Sequence, residues 1–332
     1  MRIRGIQSLV MAARWARSRV LGGVPILGYH RIAEAQWDPY GLCVTPRHFA
    51  AQLEVLHRHA NPIKLADLIA ALQEGVLPPR AVALTFDDGY ADVFTQARPL
   101  LDHYQIPATV FVTSDELGRE YWWDEVARLV HPSQRLPEKL PLTIGATNFE
   151  WPRVGSAQSD NGIALVHALC DWLRPMTSDA RATALEKIRT CSDIDAFAEG
   201  SEQRSMCADE VIAISSDGLI EIGSHTASHP VLAALPVDAQ RAEILHGKAA
   251  LEQLLQHPIA SFSYPNGSVS PQTAALVQQA GFSSACASHW DVARPGSDLF
   301  HLPRFWVSDT DGAAFGRWLD RWLNTAAAGA CA

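Results

Sequence analysis

The feature that most constrains the fold of this chain is a repeated alternation between short apolar runs and segments with helical spacing. Seven runs have the composition of buried strands: Val24–Tyr29, Val82–Phe86, Ala108–Thr113, Leu219–Ser224, Ile259–Tyr264, Ser283–Ala287 and Arg304–Ser308. Six segments indicate helices: Arg47–His59, Leu65–Gln73, Ala91–Tyr104, Asp238–Gln256, Pro271–Ala280 and Ala313–Asn324. Such alternation requires parallel strands joined by crossover helices. It predicts an α/β fold, a distorted (β/α)7 barrel, with a doubly wound open sheet as the alternative.

The alternation is interrupted between Thr113 and Leu219, a stretch too long for a loop in a compact domain. Apolar residues recur there with helical spacing in three segments: Trp122–Val130, Gly162–Leu173 and Ser178–Thr190. Proline and glycine punctuate Pro132–Gly155, which indicates a surface excursion. We predict a barrel over residues 23–324 that carries a helical insertion at about 120–210.

The composition bounds the class of protein and its partners. With 332 residues, 48% of them hydrophobic, the chain can bury a large core. Its formal charge of −9 argues against general nucleic-acid binding, which needs a basic surface. Six cysteines are scattered without a CxxC pair, which favours a reducing compartment over a disulfide framework. The composition does not indicate the oligomeric state.

The N-terminal segment, residues 1–22, has arginines interleaved with apolar residues. It lacks an apolar run of roughly 20 residues, the length of a membrane span, and it does not resemble a secretory signal. One interpretation is a basic amphipathic helix on an anionic membrane surface. The other is an ordinary helix packed on the barrel, which we favour because such patterns are common. We predict a cytoplasmic location, with peripheral contact at the inner membrane face as the alternative.

Two adjacent acids, Asp87 and Asp88, follow a buried strand in the segment Thr85-Phe-Asp-Asp-Gly-Tyr90. The carboxyl ends of barrel strands face the active-site mouth. Neighbouring acids there repel each other and resist desolvation unless a cation neutralises them. This pattern fits a metal site, but by itself it fits equally well a pair of acids that cap a helix beginning near Ala91.

Two histidines, His225 and His229, follow a second strand in the segment Gly-Ser-His-Thr-Ala-Ser-His-Pro. If the loop makes one helical turn, this spacing places both imidazoles on one face, where they can hold one ion. Neutral imidazole is the commonest ligand for zinc-like metals. A single histidine is usually structural, but a pair at a strand end favours metal binding.

Together, Thr85-Phe-Asp-Asp-Gly89 and His225-Thr-Ala-Ser-His229 resemble the first two signature motifs of the polysaccharide deacetylase family, also called the NodB-homology family or carbohydrate esterase family 4. The resemblance runs from about Pro25 to Val307. It implies a distorted barrel and hydrolysis of acyl groups on sugars with a divalent metal. It also implies that Asp88, His225 and His229 bind the metal and that Asp87 is the catalytic base. Zn²⁺ is the expected ion, and Co²⁺, Ni²⁺ and Mn²⁺ are also compatible.

The third family motif, Arg-x-Pro-x-Gly, corresponds here to Ser263-Tyr-Pro-Asn-Gly267, so that Ser263 replaces the arginine that orients the base. Tyr-Pro versions of this motif are similar to those of the exopolysaccharide-deacetylase branch. Within it, Tyr264, Pro265 and Asn266 are the expected substrate and oxyanion residues, with the Tyr264 N–H as the oxyanion donor. We hypothesise that Arg304 supplies the missing charge to Asp87; a structural ion pair is the alternative.

The leaving amine needs a proton donor, commonly histidine. His30 follows the first strand in Gly-Tyr-His-Arg and resembles a histidine that faces the metal in the exopolysaccharide-deacetylase branch. We predict His30 as the general acid, with His301 and His289 as weaker candidates. A structural histidine is the alternative for His30. The adjacent Trp122 and Trp123 suit either sugar stacking or helix packing, and we favour packing.

The predicted function is removal of an N-acetyl or N-formyl group from an amino sugar in a polysaccharide or lipid-linked glycan. A related amidohydrolase acting on a small cyclic amide is a second enzymatic hypothesis. A third is an inactive carbohydrate-binding protein, which the presence of both acids and both histidines disfavours. Metal content, together with acetate or formate release, discriminates among them.

Overall fold

The structure is a computed structural model, and it describes residues 22–131, 141–144, 147–150, 159–191 and 203–323. The predicted N-terminal segment therefore lies almost entirely outside the described residues. The chain divides into two compact units. The first contains residues 22–35, 42–118 and 205–323 of the described part, and the second contains residues 36–41 and the described part of 119–204.

Parallel strands form the centre of the first unit. The strands of the chain are β1 (Ile26–Tyr29), β2 (Arg31–Ile32), β3 (Cys43–Val44), β4 (Asn61–Pro62), β5 (Ala81–Phe86), β6 (Ala108–Val112), β7 (Pro141–Ile144), β8 (Thr147–Glu150), β9 (Ile220–Ser224), β10 (Ser261–Ser263), β11 (Ser284–Cys286) and β12 (Phe305–Trp306). Seven of them form a continuous path in the order β11-β10-β9-β6-β5-β1-β12, while β4 pairs with β5. Among the described residues, β2 and β3 form a separate parallel pair.

The two ends of this path meet through the segment before β12. Leu302 forms a parallel bridge with Cys286 of β11, and Leu27 of β1 pairs with Phe305 of β12. This closure makes the first unit a distorted (β/α)7 barrel, as predicted, rather than an open sheet. Because the strands of the path run parallel, their carboxyl ends share one edge, and the residues that follow them can converge.

Helices cover the sheet of the first unit and form most of the second. They are α1 (Pro46–His59), α2 (Leu65–Glu74), α3 (Arg98–Tyr104), α4 (Trp122–Leu129), α5 (Ser159–Leu173), α6 (Ser178–Cys191), α7 (Ala208–Ser215), α8 (Val237–Leu255), α9 (Pro271–Gln279) and α10 (Gly312–Leu319). Sequence explains α1 well: Thr45 caps its first turn by accepting a hydrogen bond from the His48 N–H. Phe49, Leu53 and Leu56 recur on one face and are buried.

The second unit has a hydrophobic core built from α4, α5 and α6, with β7 and β8 paired as an antiparallel hairpin. Leu165, Leu169 and Leu173 occupy one face of α5 and are buried. Trp122 and Trp123 are partly buried and pack against this core, as predicted for helix packing. Within the described part of the chain, every helix is too short or too polar to span a bilayer.

Two features differ from the elements predicted in sequence. The single helix expected over Ala91–Tyr104 is instead a π-helical turn, Val93–Ala97, followed by α3. π turns widen a helix by one residue and cannot be distinguished from α-helix by apolar spacing. The helix α7 was not predicted as a separate element, and it belongs to the first unit.

Candidate metal centre and active site

The acid pair occupies the turn directly after β5, at the carboxyl edge of the barrel sheet. The Asp87 N–H donates to the Tyr29 carbonyl at 2.9 Å, which continues the sheet for one more residue. Asp88 then adopts a left-handed conformation with φ of 68°, and Gly89 follows with φ of 65°. The left-handed region is costly for most side chains, and aspartate is among those that tolerate it best. The abrupt change of backbone direction gives the two adjacent carboxylates different partners.

Asp88 lies with two imidazoles in one compact donor set. Its Oδ1 atom is 3.3 Å from Nε2 of His225 and 3.3 Å from Nε2 of His229. One ligand atom from each of the three residues lies within 4.8 Å of the other two. One carboxylate oxygen and two imidazole nitrogens are donors that suit a zinc-like divalent cation. The residues predicted as metal ligands are therefore brought together, and their chemistry fits a metal.

The orientation of His225 supports the same interpretation. Its Nδ1 atom lies 2.8 Å from the Ser263 carbonyl. A carbonyl oxygen only accepts hydrogen bonds, so Nδ1 carries the proton and Nε2 of the neutral ring keeps its lone pair. Metal-binding histidines are commonly held in this way through their other ring nitrogen.

His229 is placed by a tightly wound turn. Thr226 and His229 both have positive φ values, 67° and 58°. The Thr226 hydroxyl accepts a hydrogen bond from the His229 N–H at 3.0 Å. Non-glycine residues in this region cost free energy and persist where the surrounding contacts hold them. The two imidazole centroids end 4.9 Å apart.

Asp88 is buried yet ionised. Burial opposes the charge, but the adjacent imidazoles of His225 and His229 hold the pKa of the Asp88 carboxyl well below its usual range. Burial also lowers the pKa of His229, which favours its neutral form. The carboxylate thus carries a charge in a site that is almost closed to solvent.

Arg304 reaches Asp87, as hypothesised from the sequence. Its two terminal nitrogens donate to the two carboxylate oxygens of Asp87 at 2.6 and 2.7 Å. The remaining N–H groups donate to the Ala287 carbonyl, the Thr85 hydroxyl and the Ser263 hydroxyl. A guanidinium has five N–H donors, and each of them has an acceptor although the side chain is fully buried.

Ser263 connects the two halves of the site. Its hydroxyl donates to Asp87 at 3.1 Å and accepts from Arg304, and its carbonyl orients His225. Burial alone would raise the pKa of Asp87, but the charge of Arg304 and its hydrogen bonds hold that pKa below the ordinary value. Oδ2 of Asp87 is 3.9 Å from Nε2 of His225. Asp87 is therefore an ionised carboxylate beside the donor set.

His30 lies at the end of β1 and faces the same charges. Burial lowers the pKa of the His30 imidazole, while the negative charges of Asp88 and Asp87 act in the opposite direction. Its ring stacks on Trp306, with centroids 4.5 Å apart. The Arg304 guanidinium lies over the same Trp306 indole ring, 4.6 Å from its centroid. Trp306 was not predicted as a site residue, and its only signal in the sequence is its position two residues after Arg304.

The third motif is placed differently from the prediction. The Tyr264 N–H, expected as the oxyanion donor, donates to the Cys286 carbonyl at 3.1 Å as part of the sheet. The Tyr264 hydroxyl donates to the Phe300 carbonyl. The predicted oxyanion role of this N–H is therefore wrong, because β10 continues its pairing through Tyr264. Pro265 is buried beside it, and Asn266 is exposed with φ of 56°.

The weaker candidates for general acid, His289 and His301, form a pair of their own. Their rings stack with centroids 4.6 Å apart. The His289 carbonyl accepts the Arg304 N–H, so the segment supports the arginine through its backbone. These contacts favour His30 over His289 and His301 as the histidine of the site.

Comparison with known proteins shows which family this chain resembles. The family model described as polysaccharide deacetylase matches residues 74–133 and 193–285, which contain both the acid pair and the histidine pair. The protein YxkH of Bacillus subtilis is 30% identical over 110 residues, which cover 32% of this chain and 38% of YxkH. A Staphylococcus aureus poly-beta-1,6-N-acetyl-D-glucosamine N-deacetylase is 28% identical over 107 residues, which cover 28% of this chain and 37% of that protein.

The match thus spans less than two fifths of the length of these curated relatives. The fold agrees over a much larger part of the chain. The structure of IcaB from Ammonifex degensii superposes with a TM-score of 0.60 at 20% identity, covering 90% of this chain and 97% of IcaB. The sequence match includes both motifs, and the barrel carries them at its carboxyl edge. The resemblance to the polysaccharide deacetylase family that the two motifs predicted is therefore confirmed over the matched segments.

Proposed function

We propose that this protein is a metal-dependent hydrolase that removes an N-acetyl or N-formyl group from an amino sugar in a polysaccharide or lipid-linked glycan. The observation that carries the proposal is the convergence of Asp88, His225 and His229 within 4.8 Å, next to the ionised Asp87. Metal-assisted hydrolysis of an amide uses a Lewis acid, a base that accepts a proton from water and an acid that protonates the amine. Candidates for all three roles lie at the same edge of the barrel.

Asp88, His225 and His229 would hold the cation, which when bound supplies Lewis acidity toward the acyl carbonyl and toward water. Asp87 would accept a proton as water adds to the carbonyl carbon. Arg304 keeps Asp87 ionised and fixes its plane through two hydrogen bonds. Cleavage of the C–N bond requires a proton on the departing nitrogen, and protonated His30 would donate it. A lowered pKa makes His30 a stronger acid once it is protonated.

The donor set supports zinc as the metal. Two imidazoles and one carboxylate leave coordination positions open, which is typical of catalytic zinc sites. The same donors accept Co²⁺, Ni²⁺ and Mn²⁺, so metal identity is best decided by measured affinity. The buried position of Asp88 and His225 favours tight binding because little water competes there.

Poly-beta-1,6-N-acetyl-D-glucosamine is the substrate to test first. The Staphylococcus aureus relative carries this polymer in its name, and its matched segment is 28% identical to this chain. The amide of N-acetylglucosamine is linear, which separates this proposal from the alternative of a small cyclic amide. Cytoplasmic location and membrane contact by residues 1–22 remain predictions from sequence.

The decisive experiment measures acetate and formate release from N-acylated glucosamine oligomers by the zinc-loaded chain, with and without a chelator. We expect release that the chelator abolishes and that added Zn²⁺ restores. Asp87→Asn should keep the metal and lose about 10²–10⁴-fold in turnover, the usual contribution of acid–base catalysis. His59→Ala, an exposed histidine at the end of α1, is the matched control. Binding of oligomers without any release would instead support an inactive carbohydrate-binding protein.

A further inference from the structure

A carboxylate outside the described site contacts the turn between the two metal-binding histidines. Glu243 lies on α8, and its two oxygens accept hydrogen bonds from Ser228. The backbone N–H of Ser228 donates at 2.9 Å, and its hydroxyl donates at 2.7 Å. Ser228 directly precedes His229. One side chain of α8 therefore accepts from both hydrogen-bond donors of the residue before a proposed metal ligand.

A second contact joins α8 to the same turn. It involves Gly247, one helical turn after Glu243. A Cβ atom at Gly247 would lie 2.6 Å from the Thr226 carbonyl carbon and 2.9 Å from the Ala227 nitrogen. The backbones therefore touch, and only glycine fits there. Residues four apart lie on the same face of a helix, so Glu243 and Gly247 present one surface to the turn.

The turn is under conformational strain that such contacts must offset. Thr226 and His229 both occupy the left-handed region, which is unfavourable for residues other than glycine. The N–H groups of Ser114 and Asp115 donate to the carbonyls of Thr226 and Ala227. These bonds hold the beginning of the turn. At its end, Ser228 donates the hydrogen of its N–H group and that of its hydroxyl to Glu243.

From these contacts we infer that Glu243 is a positioning residue, which sets the affinity and geometry of the metal site by holding Ser228 and thereby His229. The inference rests on the proposed function, because it concerns the same metal site. Groups that orient metal ligands typically change metal affinity by about 10–100-fold when they are removed. A purely structural link between helix and turn would instead lower stability and leave affinity unchanged.

The test compares Zn²⁺ affinity of the metal-free chains by competition with a chromophoric chelator. We expect Glu243→Ala to weaken affinity by about 10–100-fold. Glu243→Gln should bind nearly as tightly as the parent chain, because an amide can accept from the Ser228 N–H and donate to its hydroxyl. Gln253→Ala, at an exposed position of α8, is the matched control. Thermal unfolding of the metal-free variants shows whether each is folded.

The absorption spectrum of the Co²⁺-loaded chains provides a second readout, since it reports ligand geometry. It should change in Glu243→Ala and be restored in Glu243→Gln. Parent-like affinity and spectrum in Glu243→Ala would overturn the inference alone. So would a Glu243→Gln variant as weak as Glu243→Ala, because the hydrogen bonds would then not be the cause. A parent chain that binds no cation would overturn the proposed function as well.

Discussion

Arg304 binds both carboxylate oxygens of Asp87 at 2.6 and 2.7 Å, although the two residues are 217 positions apart in the chain. Asp87 follows β5 and Arg304 precedes β12, and β1 lies between these strands in the sheet. The arginine side chain thus reaches the acid past the one strand that separates β12 from β5. Arg304 therefore orients the Asp87 carboxylate. The family resemblance assigns that role to an arginine at the position that Ser263 occupies here.

The first prediction concerns the pH dependence of turnover. In Arg304→Met, Asp87 stays buried but loses the charge that holds its pKa low, so that pKa rises. A base must be deprotonated to act, and the acidic limb of the kcat/KM profile should therefore move to higher pH. Arg304→Lys keeps a charge without the two-pronged geometry and should move the limb less. An unchanged acidic limb in Arg304→Met would contradict the role of Asp87 as base.

A second prediction follows for stability of the metal-free chain. In the parent, the folded-state pKa of Asp87 lies below its unfolded value of about 3.9, so its ionised form adds stability above that pH. This contribution is lost as pH falls through the folded pKa. In Arg304→Met the folded pKa is raised instead, and stability decreases as pH rises above about 4. The difference in unfolding free energy between the parent and Arg304→Met should therefore grow from acid to neutral pH. At neutral pH it should approach about 3–5 kcal/mol, the usual cost of removing one partner of a buried ion pair.

Urea unfolding at acid and neutral pH measures this difference. The double variant Asp87→Asn, Arg304→Met is the control, because removing both charges leaves neither one buried alone. It should be more stable at neutral pH than Arg304→Met. A pH-independent difference between parent and Arg304→Met would show that the pair does not shift the pKa of Asp87.

The third prediction addresses His30. Replacement by alanine removes the proton donor for the amine, and turnover should fall by about 10²–10⁴-fold. Zn²⁺ should remain bound, because the three proposed ligands are Asp88, His225 and His229. Activity assays and metal analysis on the same sample distinguish a loss of turnover from a loss of Zn²⁺. Full activity in His30→Ala would refute the role of general acid.

A fourth prediction uses the packing beneath His30. A Cβ atom at Gly28 would lie 2.6 Å from the Trp306 indole, the ring on which His30 stacks. Gly28→Ala should cost about 1–3 kcal/mol of stability through overpacking. It should also lower kcat more than it changes KM, since His30 and Arg304 both contact the displaced ring. Gly316→Ala is the control, because its Cβ would meet Val55 at an ordinary 3.5 Å.

Sequence predicts the local parts of this molecule well, for a physical reason. The strands β5 and β6 are continuous apolar runs because both of their faces are buried, and such runs are easily recognised. The acid pair and the histidine pair follow strands directly, so a parallel sheet brings them to one edge. The ligand set could therefore be predicted without knowing the long connections between strands.

The contacts that orient this set could not be predicted in the same way. Whether the Tyr264 N–H is free depends on how far β10 continues its pairing with β11, and strand ends are not encoded sharply. The stack of His30 on Trp306 and the bonds from Glu243 to Ser228 join distant elements. The role of Arg304 could be predicted only because Ser263 stands where the family motif has an arginine. Long-range packing, rather than local pattern, determines these partners.

The fifth prediction tests the central claim most directly: a crystal of the zinc-loaded chain, measured on both sides of the zinc absorption edge. The account predicts one strong anomalous peak about 2.0–2.2 Å from a carboxylate oxygen of Asp88 and from Nε2 of His225 and His229. Asp87 should lie beside the ion without binding it. A chain that shows no peak among these three side chains, or whose zinc is bound elsewhere, would contradict the metal site on which the proposed function depends.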